Sequence, residues 1–311
     1  MPAWLRCLTA WLWLGLAMAG ARAAEPSVVL VSSELSPAYV ELADAVVAEL
    51  ERGGVSRDAV RRITAADFVA LERPAPTLFV TLGVRAATVL AQSEDRAPVL
   101  CTLLPRASFE RILVESGRKV SSQFSAIYLD QPLSRQLELV RLMLPRAKRV
   151  GVLWGDVSVT QQAALESAAA SRGLRVASAR VGPAEALFPA LAKVLDDSDV
   201  LLALADPLIY HSGTIQNILM TSVRVRVPMV GFSPAYVKAG ALAAVYVTPT
   251  QIGLQAGALA RAVLQGRALP GVPQYSREFE VSVNLPVAHA LALSLDAAAL
   301  TARLRLLERA P

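Results

Sequence analysis

The chain is poor in the residues from which reactive centres are built: 311 residues contain two cysteines, Cys7 and Cys101, and two histidines, His211 and His289. Cys7 falls in an N-terminal segment that reads as removed on export, which leaves Cys101 alone and excludes an internal disulfide. The histidines stand far apart, with no cysteine or carboxylate at metal-ligand spacing, so neither a metal nor another cofactor is expected. No G-x-G-x-x-G or G-x-x-x-x-G-K-[ST] string occurs, and nucleotide binding has no sequence grounds. His211-Ser212, shortly after Asp206, offers the residue types of a hydrolytic triad. Neighbours in one loop lack the geometry of a nucleophile and its base, so no catalytic residue is assigned and an enzyme, such as a sugar- or phosphate-processing α/β protein, is the remote reading. Thirty-one basic residues against 26 acidic ones are scattered rather than clustered, which argues against a nucleic-acid partner. The basic run from Arg303 to Arg309 reads as the solvated face of a final amphipathic helix.

What the N-terminus does contain is an export signal. Residues 1–23 carry Arg6, an apolar run from Cys7 to Gly20, then Ala21-Arg22-Ala23, which fits a small-x-small cleavage site. A run of about 14 apolar residues is short for a bilayer that needs roughly 20. Cleavage after Ala23 and release into the periplasm are expected, in preference to a retained anchor. No cysteine follows the run closely enough for a lipid anchor. Loss of Arg6 and Arg22 takes the formal charge from +5 to +3.

The remaining chain is longer than one hydrophobic core ordinarily organises, and 54% hydrophobic content is enough for two. Short β-branched runs alternate with stretches of helical period, the pattern of parallel strands joined by crossover helices. Strands are predicted at Val28–Ser33, Val60–Thr64, Thr77–Leu82, Val99–Leu103 and Ala126–Leu129. Helices fall at Pro37–Arg52, Ala66–Glu72, Val84–Gln92 and Ser108–Glu115. Asp130-Gln131-Pro132 breaks the alternation, a helix begins at Ser134, and the pattern restarts with strands at Val150–Trp154, Leu174–Arg180, Val200–Ala205 and Pro228–Phe232. Their helices are Val157–Arg172, Ala184–Leu195 and Gly213–Val225. The closing pieces, Ala241–Val247, Thr250–Leu264 and Phe279–Val283, are too few for a third domain and return to lobes already built. The expected fold is α/β, two doubly wound parallel-sheet lobes joined by a hinge. Lobe 1 spans 24–129 with about 248–280 returning to it, and lobe 2 spans 130–247 with about 281–311. Hinge adjustment is expected near Leu129, Val247 and Val283.

In open parallel sheets ligands meet the carboxyl ends of the strands, where loops and helix N-termini present unpaired N–H groups. In the first lobe that rule selects Ser32, Ser33, Gly83, Val84, Arg85 and Leu104; in the second, Trp154, Asp206, Tyr210, Phe232, Ser233 and Tyr246. Gly83 before a helix permits close approach of an anion with Arg85 as charged partner, or else simply makes the turn. Asp206, ending an apolar strand, is expected to meet an ammonium or hydroxyl of a ligand, against the alternative of a helix N-cap or an Asx-turn before Pro207. Tyr210 and Phe232 suggest an aromatic wall, and Trp154 is the preferred stacking residue.

Gln136-Leu137-Glu138-Leu139, then Leu144-Pro145-Arg146-Ala147-Lys148-Arg149-Val150-Gly151-Val152-Leu153, resembles the start of the second lobe in ABC transporter substrate-binding proteins of the tryptophan/tyrosine-binding type. Val227-Pro228-Met229-Val230, Gly240-Ala241-Leu242-Ala243, Gly253 through Gly257, Leu264-Gln265-Gly266 and Val281-Ser282-Val283-Asn284 add to the resemblance in order. It implies a type 1 periplasmic-binding fold with a hinged cleft for a small polar or amino-acid-like ligand, an inner-membrane ABC permease as partner, and a monomer. Departures fall at the cleft. Leu103-Leu104-Pro105-Arg106 replaces the family's Asp-Pro, Ser233-Pro234 its Ser-Asp, and Val245-Tyr246-Val247-Thr248 its Gly-x-Asp-Tyr. Val84-Arg85 likewise replaces small and hydroxyl residues, a change that favours a more anionic or differently shaped ligand. These changes keep a second function open, a periplasmic sensory or scaffolding subunit without a transport role.

Overall fold

The computed structural model describes residues 27–70, 76–182 and 187–309. The proposed export signal lies outside them, as do the end of the helix predicted at Ala66–Glu72 and the start of the one predicted at Ala184–Leu195. Two six-stranded sheets carry the fold. The first joins β1 (Val28–Ser32), β2 (Val60–Thr64), β3 (Leu78–Leu82), β4 (Val99–Leu104), β5 (Phe124–Tyr128) and β11 (Gln274–Tyr275), all parallel, in the order β11-β5-β4-β3-β1-β2. The second joins β6 (Arg149–Trp154), β7 (Arg175–Arg180), β8 (Val200–Leu202), β9 (Met229–Gly231), β10 (Ala243–Tyr246) and β12 (Glu280–Val283) in the order β12-β10-β9-β8-β6-β7, with only β12 antiparallel.

Strand alternation divides each sheet into two cores. In β1, Val28 and Leu30 face α1 (Pro37–Arg52) and α10 (Pro249–Leu264), whereas Val29 and Val31 pack with α2 (Ala65–Ala70), α3 (Val84–Gln92) and α4 (Arg106–Ser116). In the second sheet Val150, Val152 and Trp154 share a core with α5 (Leu133–Met143), α6 (Gln162–Ala170) and α12 (Ala297–Arg309). Leu153, Leu201 and Ala203 share the other with α7 (Leu187–Asp196) and α8 (Ile215–Arg224).

The returning helix α10 is held to α1 at very short range by Gly253 and Gly257. A Cβ on Gly253 would lie 2.6 Å from the Leu42 carbonyl oxygen and 2.7 Å from Ala45 Cβ; on Gly257 it would meet Glu49 Cβ at 2.7 Å. These glycines serve helix contact. Glu49, buried in that contact, is paired with both Arg52 and Arg261.

The chain crosses between sheets after β5, after β10, and between β11 and β12. The third crossing therefore falls within 276–279 and not near Val283, because Glu280–Val283 is already paired to β10 and Phe279 is buried in the second sheet's core. Among the described residues, β11, α9 (Pro234–Ala239), α11 (Leu285–Ala290) and the 3-10 turn Arg57–Ala59 have no sequence-predicted counterpart. The helix predicted over Val157–Arg172 is a 3-10 turn, Ser158–Gln161, followed by α6.

Candidate functional site

The carboxyl ends of both sheets face a cleft between the lobes, and two adjoining chambers occupy it. The larger, about 690 Å³, is lined from lobe 1 by Val84 and by the start of α4 (Pro105, Ser108, Glu110, Arg111), and from lobe 2 by Asp156, Val157, Asp206, Tyr210, Phe232 and Tyr236. The deeper, about 260 Å³, lies against two of the crossings and is lined by Asp130, Gln131, Gln136, Ser233, Tyr246 and Val247 among others. Pro105, Ala205 and Phe232 border both.

Three aromatic rings form the lobe 2 wall. Phe232 and Tyr236 have centroids 4.5 Å apart, and Tyr210 meets them edge-on at 6.2 and 6.4 Å. The Tyr236 hydroxyl donates to the Tyr210 carbonyl at 3.2 Å, while the buried Tyr210 hydroxyl has no partner. Burial pushes both phenols up. Tyr236 reaches this position because Ser233 and Pro234 start α9, proline being suited to the first helical turn.

Asp206 borders the larger chamber but is 2% exposed, and its oxygens accept backbone N–H bonds from its own lobe. Oδ2 accepts from Ser158 at 2.8 Å and Val157 at 3.2 Å, and Oδ1 from Leu208 at 3.0 Å. The last is the Asx-turn considered from sequence. Gly155 completes the arrangement, since a Cβ there would run into the carboxylate. Asp206 thus ties the loop after β6 to the loop after β8, which positions Asp156, Val157 and Tyr210 on the wall. The neighbouring His211 is exposed, and its Nδ1 accepts from Gly213 N–H at 3.2 Å, so no triad assembles with the occupied Asp206.

Several selected residues lie elsewhere. Trp154 is 1% exposed within the lobe 2 core, because as a strand residue of the same parity as Val150 and Val152 it must point where they do. Leu104 is fully buried in the lobe 1 core. A register shift between Cys101 and Leu104, with Leu103 at φ 51°, turns it inward and leaves Pro105 at the cleft. Ser33 Oγ accepts the Ala86 N–H at 3.0 Å and so satisfies one of the free amides of α3. Gly83, at φ 88°, has no room for a side chain beside Tyr39 and Ser33. Arg85 is exposed; neither it nor Ser32, Ser33 or Gly83 lines either chamber. The anion site expected at Val84 therefore has neither its cation nor a full set of open amides. Val84, Tyr210 and Phe232 do line the larger chamber, and Phe232, Ser233 and Tyr246 the deeper one.

The sequence reading passed over Asp130, Gln131 and Gln136. The strand-end rule would have selected the first two had it been applied to β5. Asp130 accepts the Arg106 N–H at the start of α4, and burial pushes its carboxyl up. Tyr246 donates to Glu280 Oε2 at 3.0 Å, and burial holds its phenol up to about 12. Among the residues lining the two chambers Arg111 is the one cation, against the carboxylates of Glu110, Asp130, Asp156 and Asp206. No cluster of potential metal ligands occurs among the described residues, and no described helix is long and apolar enough to cross a membrane.

Residues 61–302 match the model of the family described as ABC transporter substrate binding protein. The chain belongs to that family. It is 25% identical over 214 residues to the tyrosine-binding protein of Clostridioides difficile strain R20291, covering 67% of this chain and 60% of that relative's length. Among solved structures it is similar to the ligand-free, open form of a substrate binding protein with adhesive properties from Clostridium difficile. There the TM-score is 0.70 and the identity 18%, over 88% of this chain and 96% of the other. It is also similar to a Streptococcus pneumonia ABC domain in complex with L-Trp, with TM-score 0.59 and 17% identity over 88% and 98%. At these identities the likeness concerns the fold, that of type 1 periplasmic-binding proteins, and the two-lobed α/β class and the family expected from the sequence are borne out.

Proposed function

We propose that this substrate-binding protein is exported to the periplasm, captures a small solute between its lobes and delivers the closed complex to an inner-membrane ABC permease, without chemical turnover. The observation that carries the reading is the pair of adjoining chambers, together of a size suited to a small molecule. An aromatic wall on one lobe faces polar groups on the other, at the strand ends and beside the crossings that closure would bend. The aromatic rings favour a solute with a flat apolar body, and aromatic amino acids enter the trial set because a relative is named for binding tyrosine.

The test is a thermal-shift screen of the mature protein, denatured and refolded to strip carried ligand, against amino acids, nucleosides, sugars and small anions. A solute at a hundredfold excess over its dissociation constant stabilises the folded state by about 2.7 kcal/mol. A hit whose stabilisation falls to about half in Phe232→Ala, as a tenfold weaker complex requires, supports capture in the cleft. No hit from any class sinks solute capture and transfers the fold to a sensory or scaffolding role.

A further inference from the structure

We infer that the deeper chamber recognises the edge of a planar amide, so that the captured solute is an uncharged carboxamide or lactam and not a zwitterionic amino acid. The inference rests on the reading of the cleft as a solute site and specifies its ligand. Gln131 and Gln136 stand in the chamber wall, 5% and 6% exposed. One end of each side-chain amide is fixed by a partner that admits a single orientation. Gln131 Oε1 accepts from Arg135 Nη1 at 2.6 Å, and a guanidinium can only donate. Gln136 Nε2 donates to the Gln131 main-chain oxygen at 3.0 Å, and a carbonyl can only accept. Neither amide can be turned over without setting like against like.

The other ends, Gln131 Nε2 and Gln136 Oε1, are buried and have no partner. Buried polar groups in folded proteins are nearly always satisfied, and a ligand is one source of the missing bonds. One unsatisfied donor and one unsatisfied acceptor, on two residues already joined by a hydrogen bond, are the two kinds of group that a C=O beside an N–H would satisfy. The Arg135 that fixes Gln131 is itself held, by Glu308 through Nε and Nη2 and over the Phe279 ring at 4.0 Å, so the donor is preorganised.

The rest of the wall disfavours a free carboxylate. The deeper chamber contains no cation among its lining residues and does contain Asp130. Arg111, in the larger chamber, has its Nε 3.9 Å from Glu115 Oε1. Phe232 and Tyr246 supply the aromatic surface that a flat ring needs.

Calorimetric titration of the refolded mature protein tests this with nicotinamide and uracil as open and cyclic amides. Nicotinate serves as the carboxylate isostere of nicotinamide, and L-tyrosine and L-tryptophan as the zwitterions. At least one amide is expected to bind tenfold or more tightly than nicotinate and both amino acids. Gln131→Glu, which keeps an acceptor for Arg135 but replaces the free donor, is expected to weaken the amide at least tenfold without loss of the folding transition. Gln136→Met, which removes the free acceptor, should do the same. Tight binding of an amino acid with no preference for amides, or amide binding unchanged in Gln131→Glu, overturns the amide edge and leaves solute capture standing. Failure of every probe together with the wider screen overturns both.

Discussion

The two lobes are built alike but close their strand ends differently. In lobe 1 the loops after β1, β3 and β4 are spent on the fold: Ser33 caps α3, Gly83 makes room for Tyr39, and Leu104 fills the core. That lobe meets the cleft chiefly through the start of α4 and the crossing at Asp130-Gln131. In lobe 2 one carboxylate, Asp206, ties two loops together, and the freed wall carries Tyr210, Phe232 and Tyr236. A strand end thus becomes available to solute where another group has already satisfied its backbone, and the residue that does so is unavailable itself.

The sharpest way to break this contrast is Asp206→Ala. Removing the acceptor of three backbone N–H groups, one of them fully buried, should destabilise the protein by about 2–4 kcal/mol, read by urea denaturation. Asp206→Asn should recover part of it, since an amide oxygen accepts but its nitrogen does not. A loss of solute affinity with unchanged stability would instead make Asp206 a ligand group. The corresponding weak point of lobe 1 is the α1–α10 contact. Gly253→Ala places a methyl against the Leu42 carbonyl, which cannot move aside as a side chain would. A net loss of about 1–3 kcal/mol is expected despite alanine's better helix propensity. If both variants melt like the parent, neither lobe is pinned as described.

Effects on binding come next in size. Phe232→Ala removes the ring shared by both chambers and should weaken any captured solute about tenfold, a cost in line with one aromatic contact, whereas Val84→Ala on the opposite wall, which removes two carbons from a half-buried side chain, should weaken it less, about fourfold. Calorimetry on the two variants measures how unequally the lobes contribute. Equal losses would mean that the walls grip the solute alike.

The lobes were legible because buried parallel strands leave dense β-branched runs: Val28–Val31 and Val150–Leu153 announce their own cores. The polar break at Asp130-Gln131-Pro132 marked the first crossing. Of the positions selected from the sequence, Val84, Asp206, Tyr210, Phe232, Ser233 and Tyr246 are those that reach the cleft surface, Asp206 with its carboxylate already taken by backbone N–H groups. Trp154 failed because its type outweighed its parity, although Val150 and Val152 two and four residues earlier show which way it must face. Leu104 failed for the opposite reason, since the irregularity at Leu103 breaks the alternation and no local pattern announces it. Gln131 and Gln136 are oriented by bonds within residues 131–136 that no local pattern announces, and the Glu308 that holds Arg135 arrives only with the returning C-terminal helix.

The smallest expected effect concerns Asp130, where the lobes join. Burial raises its carboxyl above the ordinary 3.8 in the folded protein, with the Arg106 N–H opposing that rise. For an acid so shifted, the folded state holds its proton more tightly than the unfolded chain. The associated stability is present at the acid end and is lost as pH rises from about 4 through the raised value. Asp130→Asn keeps an oxygen for the Arg106 amide and removes the ionisation. The variant should match the parent near pH 4 and exceed it modestly at neutral pH, with a flatter stability profile between, measured by urea denaturation at a series of pH values. A parent whose stability rises across that interval no less steeply than the variant's would show that the Arg106 N–H outweighs burial, and the crossing would then be a site that prefers its charge.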